Sequence, residues 1–413
     1  MEILCVSNGH GEDQIAARIC IELAKLGVSA IALPLVGVGH VYRSTNIPIV
    51  EGATQAMPSG GFVRMDGGQL WRDLRSGLAG LTWKQLQIVW QWSKRNNFKK
   101  TGEKKIVLAV GDIVPMLFAW LPAMFGGCDF VMIATAKSEY YWCDRKGRIP
   151  IIPKPWGGSV FYPWERSLIC SRHCQATFVR DQFTANLLGN QFRLPVKFMG
   201  NPMMDGLEAK GLELGVSEDE WSISILPGSR PPEAYENWQS LLIGAHSIAR
   251  AMSQSVTFLA AIASELDIEQ LAQILIQNGW IEVDDLTYKL QRSRLRLVMH
   301  GFGDCLQQCH LGLAMAGTAT EQLVGLGKPA ITIVGNGPQF NRQFAEEQAR
   351  LLGVSVTLVE KPAQVGEVIT DLLNDPDYFQ DSIENGLERM GTPGASQRIA
   401  QYLVEQVLRS PNH

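Results

Sequence analysis

The chain has 413 residues, 46% of them hydrophobic and 19% charged, and its 37 Lys and Arg oppose 41 Asp and Glu for a net charge of −4. Those values fit a globular protein of two or three domains with a large core. They exclude collagen, a disulfide miniprotein, a largely disordered chain and a globally basic nucleic-acid binder.

Glu2–Ser7 reads as a buried strand with no basic stretch before it, so no signal peptide is expected. A glycine loop, a helix from about Gln14 to Leu26 and a strand at Ser29–Pro34 follow, which is the βαβ rhythm of an open parallel sheet. Residues 64–105 break that rhythm. They hold ten Lys or Arg against three acids, a local +7, with Trp71, Trp83, Trp90 and Trp92 interleaved among leucines. Trp83, Trp90, Lys94 and Arg95 are of the kind that meets an anionic membrane surface, where indoles sit at headgroup depth and cations face lipid phosphate. An amphipathic helix with its tryptophans turned to the core fits the same pattern. Nucleic acid fits it less well, because the rest of the chain is acidic.

The apolar run Ile106–Ala136 is interrupted by Asp112, Pro115, Pro122, Gly126, Gly127 and Asp129. It therefore reads as strand, loop, helix and strand, not as a spanning helix. Short strands are expected at 176–179 and 196–199. Gly200-Asn201-Pro202 and the polar stretch 208–220 mark a domain boundary. Beyond it the rhythm repeats, with strands at 222–226, 256–262, 295–299, 311–315, 330–334 and 355–358. Helices are expected near 232–252, 267–278, 319–326, 340–351, 362–373 and 394–408. Two doubly wound sheets in series imply two Rossmann-like domains facing each other across a cleft, with ligands at the carboxyl ends of the strands.

The eight cysteines are dispersed, as reduced thiols of a cytosolic protein would be. Cys170 and Cys174 near His173, and Cys305 and Cys309 near His310, have a looser spacing than zinc knuckles and read as half-buried helix residues. Asp375-Pro376-Asp377 reads as a solvent-facing turn that ends a helix. No metal site is expected.

Three segments carry chemistry. In Leu226-Pro227-Gly228-Ser229-Arg230 a buried strand ends in a glycine turn that opens a helix. Free N–H groups there suit an anion, Arg230 can fork onto phosphate, and Pro231 or Pro232 suits the first helical turn. Ala316-Gly317-Thr318-Ala319-Thr320-Glu321 repeats the device. Gly317 and Thr318 can face phosphate, and Glu321 can either accept from ribose hydroxyls or serve the helix dipole alone. Gln339 and Asn341, in the amide-rich stretch 337–343, can read sugar hydroxyls.

The C-terminal half resembles the nucleotide-sugar domain of GT-B glycosyltransferases, most of all lipid-A-disaccharide synthase and its related proteins. LPGSR at 226–230 with Glu233, AGTATEQ at 316–322 and the linker Phe198–Asp205 carry the resemblance, with Asn201 where that family has histidine. Asn8–Asp13 occupies the place of the family's GEASGD loop. Gly111-Asp112-Ile113-Val114-Pro115 lies where the family places a catalytic acid, and is also similar to the glycine–proline loop of the peptidoglycan N-acetylglucosaminyltransferase.

The resemblance implies a GT-B fold with an acceptor domain over 1–205, a donor domain over 206–392 and a last helix, 393–413, returning to the first domain. It implies inverting, metal-independent transfer of a hexose or N-acetylhexosamine from a nucleotide diphosphate sugar, UDP-linked by expectation, to a lipid acceptor. The nucleotide sugar is a substrate, so no cofactor is expected, and the protein would sit at the inner, cytoplasmic face of a membrane. Such a transfer needs a base for the acceptor hydroxyl and cations for the leaving diphosphate. Asp112 is the first candidate base and His10 the second, with Gly228, Ser229, Arg230, Gly317 and Thr318 around the diphosphate. A UDP-sugar 2-epimerase and a non-catalytic sugar-nucleotide or lipid binder share these features.

Overall fold

A computed structural model describes residues 2–51, 78–94, 104–144, 155–217 and 219–408. The described residues form two compact units. The first draws on Met1–Glu139, Pro153–Asp205 and Pro393–His413, the second on Tyr140–Ile152 and Gly206–Thr392.

The first unit holds a six-stranded parallel sheet: β1 (Glu2–Ser7), β2 (Ser29–Pro34), β3 (Ile106–Gly111), β4 (Asp129–Ala134), β5 (Cys174–Val179) and β6 (Val196–Lys197), in the order β2-β1-β3-β4-β5-β6. Successive side chains of a strand point to opposite faces, and here both faces are covered. Ile3 and Cys5 pack with helix His10–Lys25 and with Ile399 and Leu403 near the chain's end. Leu4 and Val6 pack on the other side with Val89, Trp92, Met116 and Ala119. That double burial explains why β1 reads as a continuous apolar run. The Asp205 carboxylate accepts from the backbone N–H groups of Gly394, Ala395 and Ser396, which anchors the start of helix Ala395–Tyr402 in this unit.

The second unit holds eight strands: β7 (Trp221–Leu226), β8 (Val256–Ile262), β9 (Ile281–Asp284), β10 (Thr287–Leu290), β11 (Ser293–Met299), β12 (Leu311–Ala314), β13 (Ala330–Ile333) and β14 (Val356–Val359). Their order is β14-β13-β12-β7-β8-β11-β10-β9, all parallel except for the β9–β10–β11 meander at one edge. Trp238, Leu241 and Leu242 of helix Glu233–Ala251 lie fully buried against Ile225, Phe258 and Leu313.

Several local expectations change. The first helix begins at His10, not Gln14; Glu12 and Asp13 lie in its first turn, where acidic side chains favour the helix dipole. Helix Glu233–Ala251 starts after the prolines, whose mutual peptide bond is cis, so Pro231 and Pro232 precede the helix. Asp375 opens a helix: it caps Pro376–Met390 through the N–H groups of Asp377 and Tyr378. The cysteine pairs do not share helix faces. Cys170 follows a helix end while Cys174 begins β5, and Cys309 follows the helix that holds Cys305. No disulfide or metal-type cluster joins them among the described residues. Ile106–Ala134 is strand, helix and strand, and no helix among the described residues is long and apolar enough to cross a membrane.

Candidate functional site

In an open parallel sheet, a crevice forms at the carboxyl ends of the two neighbouring strands from which the chain winds in opposite directions. In the second unit those strands are β12 and β7, paired with Leu226 beside Ala314. The two glycine turns, 227–230 and 315–318, follow these strands and flank that point. The third segment, 337–343, comes shortly after β13, the next strand over. Topology therefore gathers three separated motifs at one end of one sheet.

Buried polar side chains fasten them together. Asn237 donates to the carbonyls of Pro227 and Met315, both at 3.2 Å, and so ties the two turns. Gln348 donates to the carbonyls of Ala316 and Gly317, both at 3.0 Å. Glu233, in the first turn of its helix, accepts from the backbone N–H groups of Gln339 (3.2 Å) and Phe340 (2.5 Å). A methyl on Gly337 would stand 2.1 Å from that carboxylate, so glycine permits the close approach. Gly228 has φ +93, a left-handed turn that glycine takes without strain.

Arg230 is half-buried, and its guanidinium donates to the side-chain carbonyl of Gln339 at 2.7 Å. Ser229 and Thr318 are exposed at the mouths of the two turns, and Glu321 is buried one turn into helix Thr318–Gly325. The Asn341 carbonyl oxygen caps helix Arg342–Leu352 by accepting from Phe344 N–H at 2.9 Å, leaving its amide nitrogen for other contacts. Asn237, Gln348 and Glu233 are single polar residues within helices. Only Glu233 stood out in the sequence, as part of the LPGSR motif.

The first unit has its own point of opposite winding, between β1 and β3. There the loops after the two strands touch: a methyl on Gly111, at φ +133, would lie 3.3 Å from both Asn8 Cβ and Glu12 Cγ. Asp112 caps helix Ile113–Met124, its carboxylate accepting from Val114 N–H at 2.8 Å. It lies in a small pocket with Lys137, Glu165, Met116, Met132 and Phe161. Burial raises its pKa above the usual carboxylate range, and Glu165 adds to the rise. The N–H of Val114, Lys137 and a hydrogen bond with Asn8 oppose it. Lys137 and Glu165 were not singled out by the sequence, which offers no local pattern for a pair 28 residues apart. His10 opens the first helix, and its side chain lies outside the described residues.

Beneath the loop after β1, Ser7 Oγ donates to buried Asp13 at 2.5 Å and lies 2.6 Å from the Tyr42 hydroxyl. Burial drives Asp13 up to about 7.

Of the basic, aromatic segment, 64–77 and 95–103 lie outside the described residues, Trp71 and Arg95 among them. Helix Leu78–Lys94 divides the remaining tryptophans. Trp92 is core, donating to Glu2 at 3.2 Å. Trp83 is 62% exposed. Trp90 is half-buried beside exposed Phe125, ring centroids 4.8 Å apart, with the Lys94 ammonium 5.6 Å from its ring centroid.

The sequence matches no protein-family model and no curated protein. Solved structures do match over nearly the whole chain. UDP-GlcNAc 2-epimerase from Neisseria meningitidis is 16% identical, covering 98% of this chain and 100% of its own, with a TM-score of 0.56. MurG from Acinetobacter baumannii is 13% identical, covering 98% and 99%, with a TM-score of 0.59. The glycotransferase of kitacinnamycin is 13% identical, covering 98% and 99%, with a TM-score of 0.58. The fold is thus GT-B, built of two Rossmann-like α/β domains.

Proposed function

We propose that the protein is a glycosyltransferase that moves a hexose or N-acetylhexosamine from a nucleoside diphosphate sugar, UDP-linked, to a lipid acceptor. One observation carries this reading: the turns at 227–230 and 315–318 flank the β7/β12 winding point, with Arg230 beside them. The backbone N–H groups of a glycine turn, the start of helix Thr318–Gly325 and a guanidinium are what a leaving diphosphate needs. MurG and the kitacinnamycin glycotransferase share the fold, and the N. meningitidis epimerase structure holds UDP-GlcNAc. In this reading residues 206–392 take the donor and 1–205 the acceptor. Asp112 is the base, its raised pKa bringing it nearer the pH at which a base both accepts and holds a proton. His10 is the second candidate. Exposed Trp83 and Phe125, with Lys84 and Lys94 on the same surface helix as Trp83, suit a protein peripheral to the inner face of a membrane.

A UDP-sugar 2-epimerase is the second reading, favoured by UDP-GlcNAc 2-epimerases among the structures of equal likeness. A donor screen separates the two. UDP released only with added membrane lipid supports transfer, and a 2-epimerised sugar formed without lipid supports the epimerase. Nucleotide binding without either product identifies a binding protein.

A further inference from the structure

Asp112 does not stand alone in its pocket. Lys137, just past β4, and Glu165, in helix Pro163–Ile169, line the same small space. The Lys137 ammonium donates to the Glu165 carboxylate at 2.5 Å. It also lies 4.1 Å from the centroid of the Tyr162 ring, a cation–π distance. Glu165 is almost completely buried and accepts a second hydrogen bond, from Tyr162 N–H at 2.7 Å. Both partners are thus held in place: the ammonium by a carboxylate and an aromatic ring, the carboxylate by an ammonium and a backbone amide. A surface ion pair would need none of this. A cation and an anion fixed beside one buried carboxyl act on it with opposite signs, at close range and with little screening.

We infer that Lys137 and Glu165 form a built-in charge pair that sets the protonation of Asp112, making them positioning residues for the proposed proton transfer. The other groups that act on Asp112 are the Asn8 side chain from the β1 loop and the Val114 N–H, both uncharged. Glu12 of the first helix lies beside neighbouring Gly111 and is left unchanged in the test. The inference rests on the assignment of Asp112 as base, but its first readout does not.

Asp112 is titrated directly, by carbon-13 NMR of protein labelled at aspartate carboxyls, with Asp112→Asn used to assign its signal. Lys137→Met removes the cation and leaves the anion, so the Asp112 midpoint rises. Glu165→Gln keeps an acceptor for Tyr162 N–H and leaves the cation free to favour the charged form, so the midpoint falls. Each shift is on the order of a unit, the effect of a charge lining the same small pocket. Lys137→Arg keeps the charge and restores the wild-type midpoint to within a few tenths, which guards against a merely damaged fold. Opposite shifts establish the pair. Shifts of the same sign, or no shift in either folded variant, overturn it. The pH dependence of turnover is the separate arm. If the NMR midpoints separate while the rate profile stays fixed, the pair stands and Asp112 is not the base.

Discussion

Replacing Arg230 by alanine is the sharpest perturbation of the donor site. The guanidinium is half-buried beside the turn after β7 and is held at 2.7 Å by Gln339, whose own backbone N–H is gripped by Glu233. A charge-assisted hydrogen bond contributes about 1.5–3 kcal/mol. Its loss therefore weakens UDP binding roughly 10- to 150-fold. Gln339→Ala leaves the charge but removes one of the contacts that position it, so a smaller loss of about 0.5–1.5 kcal/mol is expected, the net value of an ordinary hydrogen bond. If Gln339 acts through Arg230, its effect vanishes in the Arg230→Ala background, a coupling that a double-mutant cycle isolates. Isothermal calorimetry with UDP and a UDP-sugar reads all four proteins. A Gln339 effect on the UDP-sugar but not on UDP means that Gln339 reads the sugar. Equal UDP affinity in wild type and Arg230→Ala refutes the diphosphate site itself.

Four further outcomes follow from the geometry. Gly337→Ala places a methyl 2.1 Å from Glu233 Oε1, displacing the acceptor of two backbone amides; a loss of about 1–3 kcal/mol in denaturant unfolding is expected, together with weaker UDP binding. Asp112→Asn keeps the helix cap but removes the base, so turnover falls by about 10²–10⁴ while donor affinity measured by calorimetry holds. Asp13 has a folded pKa of about 7, above its unfolded value, so its contribution to stability is complete below about pH 4 and disappears as pH rises through 7. Asp13→Asn keeps the acceptor for Ser7, so the variant gains on wild type by up to roughly 4 kcal/mol between pH 4 and 8; parallel stability curves would contradict the assignment. In vesicle co-sedimentation, binding should need anionic lipid, weaken with salt, and fall when Lys84 and Lys94 become Gln or Trp83 and Phe125 become Ser, each cation contributing about 1 kcal/mol. Unchanged sedimentation of these variants would leave that face as ordinary surface.

Much of the fold was legible because both sheets are buried on two faces. Continuous apolar strands such as Ile106–Gly111 and Val256–Ile262 cannot be mistaken for half-exposed ones. The β9–β10 hairpin was not legible. Its outer strand exposes Ile281 and Val283, its turn residue Leu286 sits at φ +54, and no glycine marks the reversal. The glycine turns could be read as turns because Gly228 and Gly317 punctuate strand–helix junctions. What joins them could not: Asn237 and Gln348 act across 78 and 32 residues of chain, a distance that only the sheet order closes. Asp112 drew notice as an acid after a strand, and the structure adds that it caps a helix. Lys137 and Glu165 have no pattern at all, since their meeting depends on how β4 and a distant helix pack.

The central claim is that the turns after β7 and β12 form a nucleoside diphosphate site. A crystal structure of the protein with UDP tests it most directly. The expected result is the diphosphate against the backbone N–H groups near Ser229 and Thr318, with Arg230, still held by Gln339, donating another of its N–H groups to a phosphate oxygen. UDP bound away from both turns and out of reach of Arg230 would contradict it.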